Sequence, residues 1–342
     1  MRRLLNTLYI TTQDTWLSLD GETIVVSVER QVKQKLPIHN IGSIICFGQV
    51  GATPPLLGFC ASRGVAVSFM TEYGKFLARL DGPVRGNVLL RRQQYRLTDS
   101  MEESAKIARS VLIGKVVNSR IVLQRAAREG EGMNSDLLNA AIKYLAITLK
   151  DFSKPQPLET LRGLEGDAAR HYFDVFDNLI LAQKDDFKFT DRNRRPPTDN
   201  VNAMLSYVYT LLAHEVIAAL EGVGLDPAVG FLHRDRPGRP SLALDLMEEF
   251  RSWLADRLVL TLINRREVTG KQFVKSESGA VEMDKDARKT LLLAWQNRKK
   301  DELTHPFLQE RVSIGLLPHI QASLLARYIR GDIDAYPPFV WR

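Results

Sequence analysis

The hydrophobic pattern of this chain changes period once, around 82–86 (GPVRG), and no other feature restricts its fold as strongly. Upstream, apolar residues come in short runs broken by Gly, Pro and Asp. Residues 17–28 (LSLDGETIVVSV) alternate on either side of Asp20-Gly21, which predicts a hairpin with both residues at positive φ in the centre of the turn. The runs 41–47 (IGSIICF) and 65–69 (VAVSF) predict further strands, with a short helix over 56–62 between them. Downstream, apolar residues recur at helical spacing over 105–127, 135–149, 163–182, 202–220, 241–259, 287–298 and 316–329. The polar stretch 274–287 is expected to be a loop. Short strands followed by long helices predict an α+β chain. Its expected parts are an N-terminal sandwich or barrel-like sheet over 1–82, a hinge or linker over 83–100, and a larger all-α domain over 101–342.

A chain of this length with 44% hydrophobic residues can bury two substantial cores. Lys and Arg outnumber Asp and Glu by 47 to 40, a net charge of +7. That excess favours an anionic partner such as nucleic acid, although a merely basic soluble enzyme would show it too. Cys46 and Cys60 make no paired CxxC framework, and a disulfide scaffold would need more cysteines, so buried free thiols are expected. The start, MRRLLNTLYITT, lacks the sustained apolar stretch of a signal peptide. No run approaches the roughly 18 apolar residues of a membrane span. A cytoplasmic chain with no membrane partner is the expectation. A small-molecule enzyme lacks support, because no nucleotide-binding glycine loop and no nucleophile motif is present.

Three segments of the helical part carry groups suited to chemistry. In GLEGD, Gly163 and Gly166 flank Glu165 at the expected start of a helix. Glycines there would allow a tight turn and close approach of another group; equally, a glutamate at a helix N-terminus simply complements the dipole. In GFLHRDRPGRP, His233 shares a loop with Arg234, Arg236 and Arg239. A solvated loop histidine is the plain alternative, but the forked guanidinium suits phosphate oxygens. In SLALDLMEEFR, Leu242, Leu246, Phe250 and Trp253 share one helical face, and Asp245 and Glu248 are neighbours on the adjoining one. Side-by-side carboxylates repel unless a cation joins them; in the ordinary reading this is a surface helix on which Arg251 pairs with Glu248. Converging, Glu165, His233, Asp245 and Glu248 would form a mixed carboxylate–imidazole site suited to Mg²⁺ or Mn²⁺.

Weaker signals surround these. Arg192, Arg194 and Arg195 could bind phosphate or form a solvated loop. Thr198 or Asp199 can cap the helix over 202–220, which is apolar on nearly every side and should be buried. Its polar stripe Asn202, Ser206, Tyr209 must find partners, on neighbouring helices or at an active site. His171, His214, His305 and His319 have no companion ligand at close spacing. The tail, YPPFVWR, cannot be helical through its prolines; Phe339 and Trp341 are candidate anchors for a partner, or lie in a disordered end.

The motifs LYITTQDTWLSLDGETIVV, IGSIICFG, GVAVSFM, GKVVNSRIVLQR, LRGLEGDAARHYF, RRPPTDNVNAMLSYVYTLL, GFLHRDRPGRPSLALDLMEEFR and QASLLARYIRG span essentially the whole chain. Together they resemble the CRISPR-associated endonuclease/integrase family of adaptation, the first-numbered Cas proteins, in the style of type I, subtype I-C members, and the resemblance implies an N-terminal β-sandwich that mediates dimerisation, a hinge and a C-terminal helical catalytic domain. The resemblance implies a metal site of Glu165, His233 and Glu248, with Asp245 as a helper or alternate ligand. It implies transesterification, in which the 3′-hydroxyl of a short DNA fragment attacks a phosphodiester at the edge of a CRISPR repeat. The implied partners are double-stranded DNA, a second copy of the chain, and a bridging dimer of the small second-numbered Cas protein. Two other readings stand beside it: a structure-selective DNA nuclease of repair, and a DNA-binding subunit without catalysis.

Overall fold

The computed structural model describes residues 6–74, 76–80, 82, 88–129, 135–194 and 196–341. The chain divides into a unit over 1–85 and a larger unit over 86–342.

The first unit holds two four-stranded sheets. One runs β4 (Gln31–Pro37), β3 (Thr23–Val28), β2 (Thr15–Asp20), β6 (Val50–Ala52); the other runs β1 (Asn6–Ile10), β5 (Ile41–Phe47), β7 (Ala66–Met70), β8 (Phe76–Arg79). Alternation puts Leu17, Ile24 and Val26 of the first sheet and Ile10, Ile44, Cys46 and Val67 of the second into one apolar core. Helix α1 (Pro54–Arg63) adds Leu56 and Cys60. Both cysteines are free and buried, and burial pushes the thiols up to about 12 and about 11. The β2–β3 hairpin forms, but Asp20 pairs with Thr23, so the turn residues are Gly21 and Glu22. Gly21 takes φ +58 and Glu22 keeps a negative φ. This corrects the expected Asp20-Gly21 centre: only the first turn position needs the conformation that glycine supplies.

Of the expected linker 83–100, residues 83–87 lie outside the described residues, and the remainder is not a linker. It forms α2 (Val88–Asp99), which packs on the helical unit through Leu90 and Gln94. The Gln94 side chain takes the carbonyls of Asp226 and Val229 and the amide of Asp226.

In the second unit α3 (Met101–Glu129) packs against α4 (Ser135–Phe152) and α5 (Leu158–Asp174). Helix α6 (Asn200–Val223) starts at Asp199, whose carboxylate accepts from Asn202 N at 2.7 Å, and stops at Gly224 with φ +90. By length and composition α6 could cross a membrane, contrary to the expectation of no such run. Here it is a core helix, with Met204, Leu205, Val208, Leu212, Val216 and Leu220 wholly buried.

The expected single helix over 241–259 is three pieces: α7 (Ser241–Met247), a π-helix (Arg251–Asp256) and α8 (Arg257–Asn264). The break at 248–250 has a cause in tertiary contacts. The Glu249 carbonyl is taken by Asn118 Nδ2 at 2.8 Å and Trp253 Nε1 at 2.9 Å, so the ordinary ladder cannot run through it. The unit is also not all-α. Strands β9 (Phe273–Lys275) and β10 (Val281–Met283) pair in the stretch read as loop, α9 (Lys285–Lys300) follows, and β11 (Glu302–Thr304) pairs with β12 (Arg311–Ser313) before α10 (Leu317–Arg330). Three-residue strands are too short for alternation to show in sequence. The tail neither hangs free nor offers its aromatic rings to a partner. Phe339 and Trp341 are buried against Trp253, at 5.0 and 5.9 Å between ring centroids, and Trp341 is flanked by the guanidinium groups of Arg125 and Arg257.

Candidate metal centre of the helical unit

Glu165 does not open a helix. Helix α5 starts at Leu158, so Gly163 and Gly166 lie within its body, and a Cβ on either would meet nothing within 4 Å. The expected tight turn is absent; the two glycines leave the solvent face of α5 bare on either side of Glu165. The side chain of Glu165, 28% exposed, points to Lys115 of α3, and the two are hydrogen-bonded. On its other side Lys115 Nζ lies 2.9 Å from Glu248 Oε2. That second contact lacks hydrogen-bond alignment, which leaves a buried carboxylate oxygen without a hydrogen-bond donor. Arg251 Nη1 sits 2.9 Å from Glu248 Oε1. This pair, read in sequence as a surface pair, is in fact buried, with Glu248 only 2% exposed. Burial alone would raise the Glu248 carboxyl; the charges of Arg251, Lys115 and His233 outweigh it and hold the group well below the usual carboxylate range. Burial would lower the Lys115 ammonium, and Glu248 and Glu165 reverse that.

Asp245 and Glu248 do not share a task. Asp245, 1% exposed, faces the loop ahead of α7. Its Oδ2 accepts from the amides of Phe231 at 2.6 Å and Leu232 at 2.9 Å; its Oδ1 accepts from the His233 amide at 2.9 Å and meets His233 Nδ1 at 2.7 Å. A carboxylate with only acceptors fixes the tautomer: Nδ1 carries the proton and Nε2 the lone pair. Gly230 makes this possible, because a Cβ there would come within 2.8 Å of Asp245 Oδ2 and of the Ser241 carbonyl carbon. Arg162 of α5 holds the same loop from outside, donating to the Leu232 carbonyl at 2.7 Å.

Among the described residues, no three His, Cys, Asp or Glu side chains lie close enough together to hold a metal ion. What the chain assembles is Glu165 and Glu248 bridged by one ammonium, with His233 close enough to Glu248 to act on it electrostatically. The donor set nevertheless fits a divalent cation. The two carboxylates meet the ammonium they share and, on Glu248, the Arg251 guanidinium; one of their oxygens lacks a hydrogen bond, and the imidazole beside them has a carboxylate behind it, the arrangement of a metal-bound histidine. Both oxygens of Asp245 are taken by the loop and the His233 ring.

Beside this cluster lies a cavity of about 250 Å³ lined by Lys115, Glu248, Arg251, Arg192, Arg194, Tyr209 and Asp256 among others. Arg192 is no loose loop arginine: it bonds Asn202 Oδ1 at 2.6 Å and Ser206 Oγ at 3.1 Å and lies 5.2 Å over the Tyr209 ring. Of the polar stripe of α6, Tyr209 lines the cavity, while Asn202 and Ser206 hold Arg192, which lines it too. Arg195 lies outside the described residues. Arg234 and Arg236 are exposed, and Arg234 pairs with Glu159 at 2.9 Å. The sequence reading does not single out Lys115, Asp256 or Asn118; the one available signal is a lysine set in the apolar run VLIGKVV of α3.

Asp256 accepts from Tyr209 at 2.6 Å and Tyr172 at 3.0 Å. Burial raises its carboxyl; those bonds and the charges of Arg192 and Arg251 offset this only in part, leaving it at about 6 against an ordinary 3.8. Between those values the folded chain keeps a proton that the unfolded chain has lost. The contribution to stability is therefore full below 3.8 and declines as pH rises to about 6. Asp256→Asn, with two hydroxyl neighbours free to rotate, is expected to abolish that decline in unfolding free energies measured across this pH range.

The fold and this cluster define a two-unit α+β protein whose helical unit carries a carboxylate–imidazole site next to a cationic cavity. Residues 8–297 match the family described as CRISPR associated protein Cas1, and the chain belongs to that family. It is 54% identical over 343 residues, the full length of both chains, to a protein of Chlorobaculum tepidum named CRISPR-associated endonuclease Cas1 1. A solved casposase bound to integration product aligns with TM-score 0.83 at 23% identity, over 97% of this chain and 93% of that one. A Cas6-RT-Cas1–Cas2 complex contains a chain that aligns with TM-score 0.82 at 21% identity, over 98% of this chain and 36% of that one.

Proposed function

We propose that this chain is the endonuclease and integrase of CRISPR adaptation, and that it joins the 3′-hydroxyl ends of short double-stranded DNA fragments into the CRISPR array. Family membership and the full-length match to a Cas1 endonuclease support the reaction class; the casposase of the same fold is seen with an integration product. The observation that carries the site is the single ammonium of Lys115 held between Glu165 and Glu248 beside an imidazole whose Nδ1 is anchored. Glu165, Glu248 and His233 Nε2 would hold Mg²⁺ or Mn²⁺. Bound there, the ion would neutralise a phosphate oxygen and ease loss of the proton from the attacking hydroxyl.

The chain's own residues account for the rest. In transesterification the 3′-oxygen forms a bond to phosphorus, the repeat's own P–O3′ bond breaks, and one proton passes from the attacking hydroxyl to the leaving oxygen, so no ATP is required. Arg251 and Lys115 offer positive charge where the phosphate gains negative charge. Asp245 keeps His233 in one tautomer and one orientation. Arg194, Arg195, Arg234, Arg236 and Arg239 would follow the DNA backbone, with salt-sensitive and largely sequence-tolerant affinity.

A homodimer forms through the β unit, whose surface leaves Trp16, Tyr73 and Leu77 more than half exposed. The small second-numbered Cas protein would bridge two such dimers, as the fold's presence in a Cas1–Cas2 complex suggests. A reaction on the cell's own repeat DNA places the chain in the cytoplasm, and the motifs and length support a type I system of subtype I-C.

The test is strand transfer by purified protein on supercoiled repeat DNA with a short duplex, in Mn²⁺ and then Mg²⁺, wild type against His233→Ala. Joined products that need metal and fall about 10²–10⁴-fold in the variant support this reading. Cleavage without joining, in the presence of the small Cas partner, supports the repair-nuclease reading instead, because water can replace the 3′-hydroxyl in the same site. DNA binding with no reaction supports a non-catalytic subunit.

A further inference from the structure

The residue after Glu248 is tied to the far end of the chain. The Glu249 carboxylate, fully buried, accepts from Tyr336 Oη at 2.6 Å, Gln321 Nε2 at 2.9 Å and the Phe339 amide at 2.7 Å. Asn118, one turn after Lys115 on α3, closes the ring. Its Nδ2 donates to the carbonyls of Glu249 at 2.8 Å and Phe339 at 2.9 Å, and its Oδ1 accepts from the Trp341 amide at 2.7 Å. A second observation points the same way. Gly114 precedes Lys115 in the middle of a 29-residue helix, where glycine is disfavoured relative to alanine. A Cβ there would meet Pro338 Cβ at 3.0 Å, Glu249 Cγ at 3.2 Å and the Phe339 carbonyl oxygen at 3.3 Å. The missing side chain is what lets the tail lie between α3 and the 248–250 turn.

We propose that the C-terminal strap 336–341 is a positioning element of the cation site: by wedging between Gly114 and Glu249 it sets how Lys115 and Glu248 face each other. This rests on the metal site proposed above. Tyr336, Gln321, Asn118 and Glu249 are outside the proposed ligand set and act through Glu248. The same contacts could merely stabilise the fold, and the experiment separates the two roles.

Mn²⁺ affinity is measured by calorimetry on the full-length protein without DNA, and strand-transfer kcat and KM with it, for wild type, Tyr336→Phe and Gly114→Ala. Tyr336→Phe removes only a hydroxyl, and Gly114→Ala adds one methyl under the strap while favouring the helix. Trp295→Phe, which removes a buried bond to Glu215 on α6, controls for plain loss of stability. Both strap variants are expected to weaken Mn²⁺ binding about 10-fold and to lower kcat with KM for DNA unchanged, as loss of support behind a metal ligand does. The control is expected to lower Tm alone. Unchanged Mn²⁺ affinity and kcat in both strap variants, with only Tm reduced, overturns the positioning role while leaving the metal site standing. A wild type that takes up no Mn²⁺ overturns the metal site and the strap's role together.

Discussion

Asp245→Asn is expected to cost both activity and stability, and more than its isosteric look suggests. Each carboxylate oxygen accepts from two donors: the amides of Phe231 and Leu232 on one, the His233 amide and ring on the other. An asparagine keeps one acceptor oxygen and turns an NH₂ toward the other pair of donors. Two buried N–H groups then lose their partner, at roughly 1–3 kcal/mol each. If the amide oxygen stays with the loop, His233 loses the acceptor for Nδ1–H, the preference for one tautomer goes, and Nε2 no longer presents a fixed lone pair. Loss of the equivalent carboxylate behind a catalytic histidine costs on the order of 10⁴-fold in kcat in serine proteases. Strand transfer reduced by 10²-fold or more, with Tm clearly lowered, is the expected result; activity near wild type would mean that the histidine is held some other way.

Lys115→Met is expected to destabilise the metal-free protein and to make it more responsive to metal. Glu248 is buried, and the lysine supplies one of the two cations touching it. Removing one partner of a buried ion pair typically costs about 3–5 kcal/mol, because the remaining charge is stranded; Arg251 places the loss here at the lower end. Wild type must exchange an ammonium for a divalent cation, whereas the variant gains a cation where none remains. The rise in Tm on adding Mn²⁺ should therefore be larger in Lys115→Met than in wild type, by the linkage between binding and unfolding. Thermal unfolding with and without Mn²⁺ decides it, and an equal rise in both would show that lysine and metal do not compete for one place.

The contrast between these residues shows what sequence could and could not deliver. The hydrophobic period separates a strand-built unit from a helical one, because a sheet face and a helix face need different spacings to be buried. A cap of α6 at Thr198 or Asp199, and the strands β5 and β7, are local matters and are legible; which of the two residues caps is decided by the fold, as Asp199. His233, Asp245 and Glu248 stood out because titratable groups sit in loops or apolar helices that have no use for them. The roles were not legible. That Asp245 turns to the loop and Glu248 to Lys115 depends on the break at 248–250, and that break is made by Asn118, Trp253 and a tail some 90 residues away, where Phe339 donates to Glu249.

The sequence by itself determined the two-part α+β plan, the core helix α6 and the free buried thiols, since each follows from side chains acting on neighbours within a few turns or on water. Tertiary structure alone decided the shift of Glu165 into the body of α5, the burial of the Glu248–Arg251 pair, the lysine standing between the two acids and the lodging of the tail beneath them. Those outcomes depend on which buried charge finds which partner, and a buried charge takes the partner that folding brings within about 3 Å, whatever its distance along the chain.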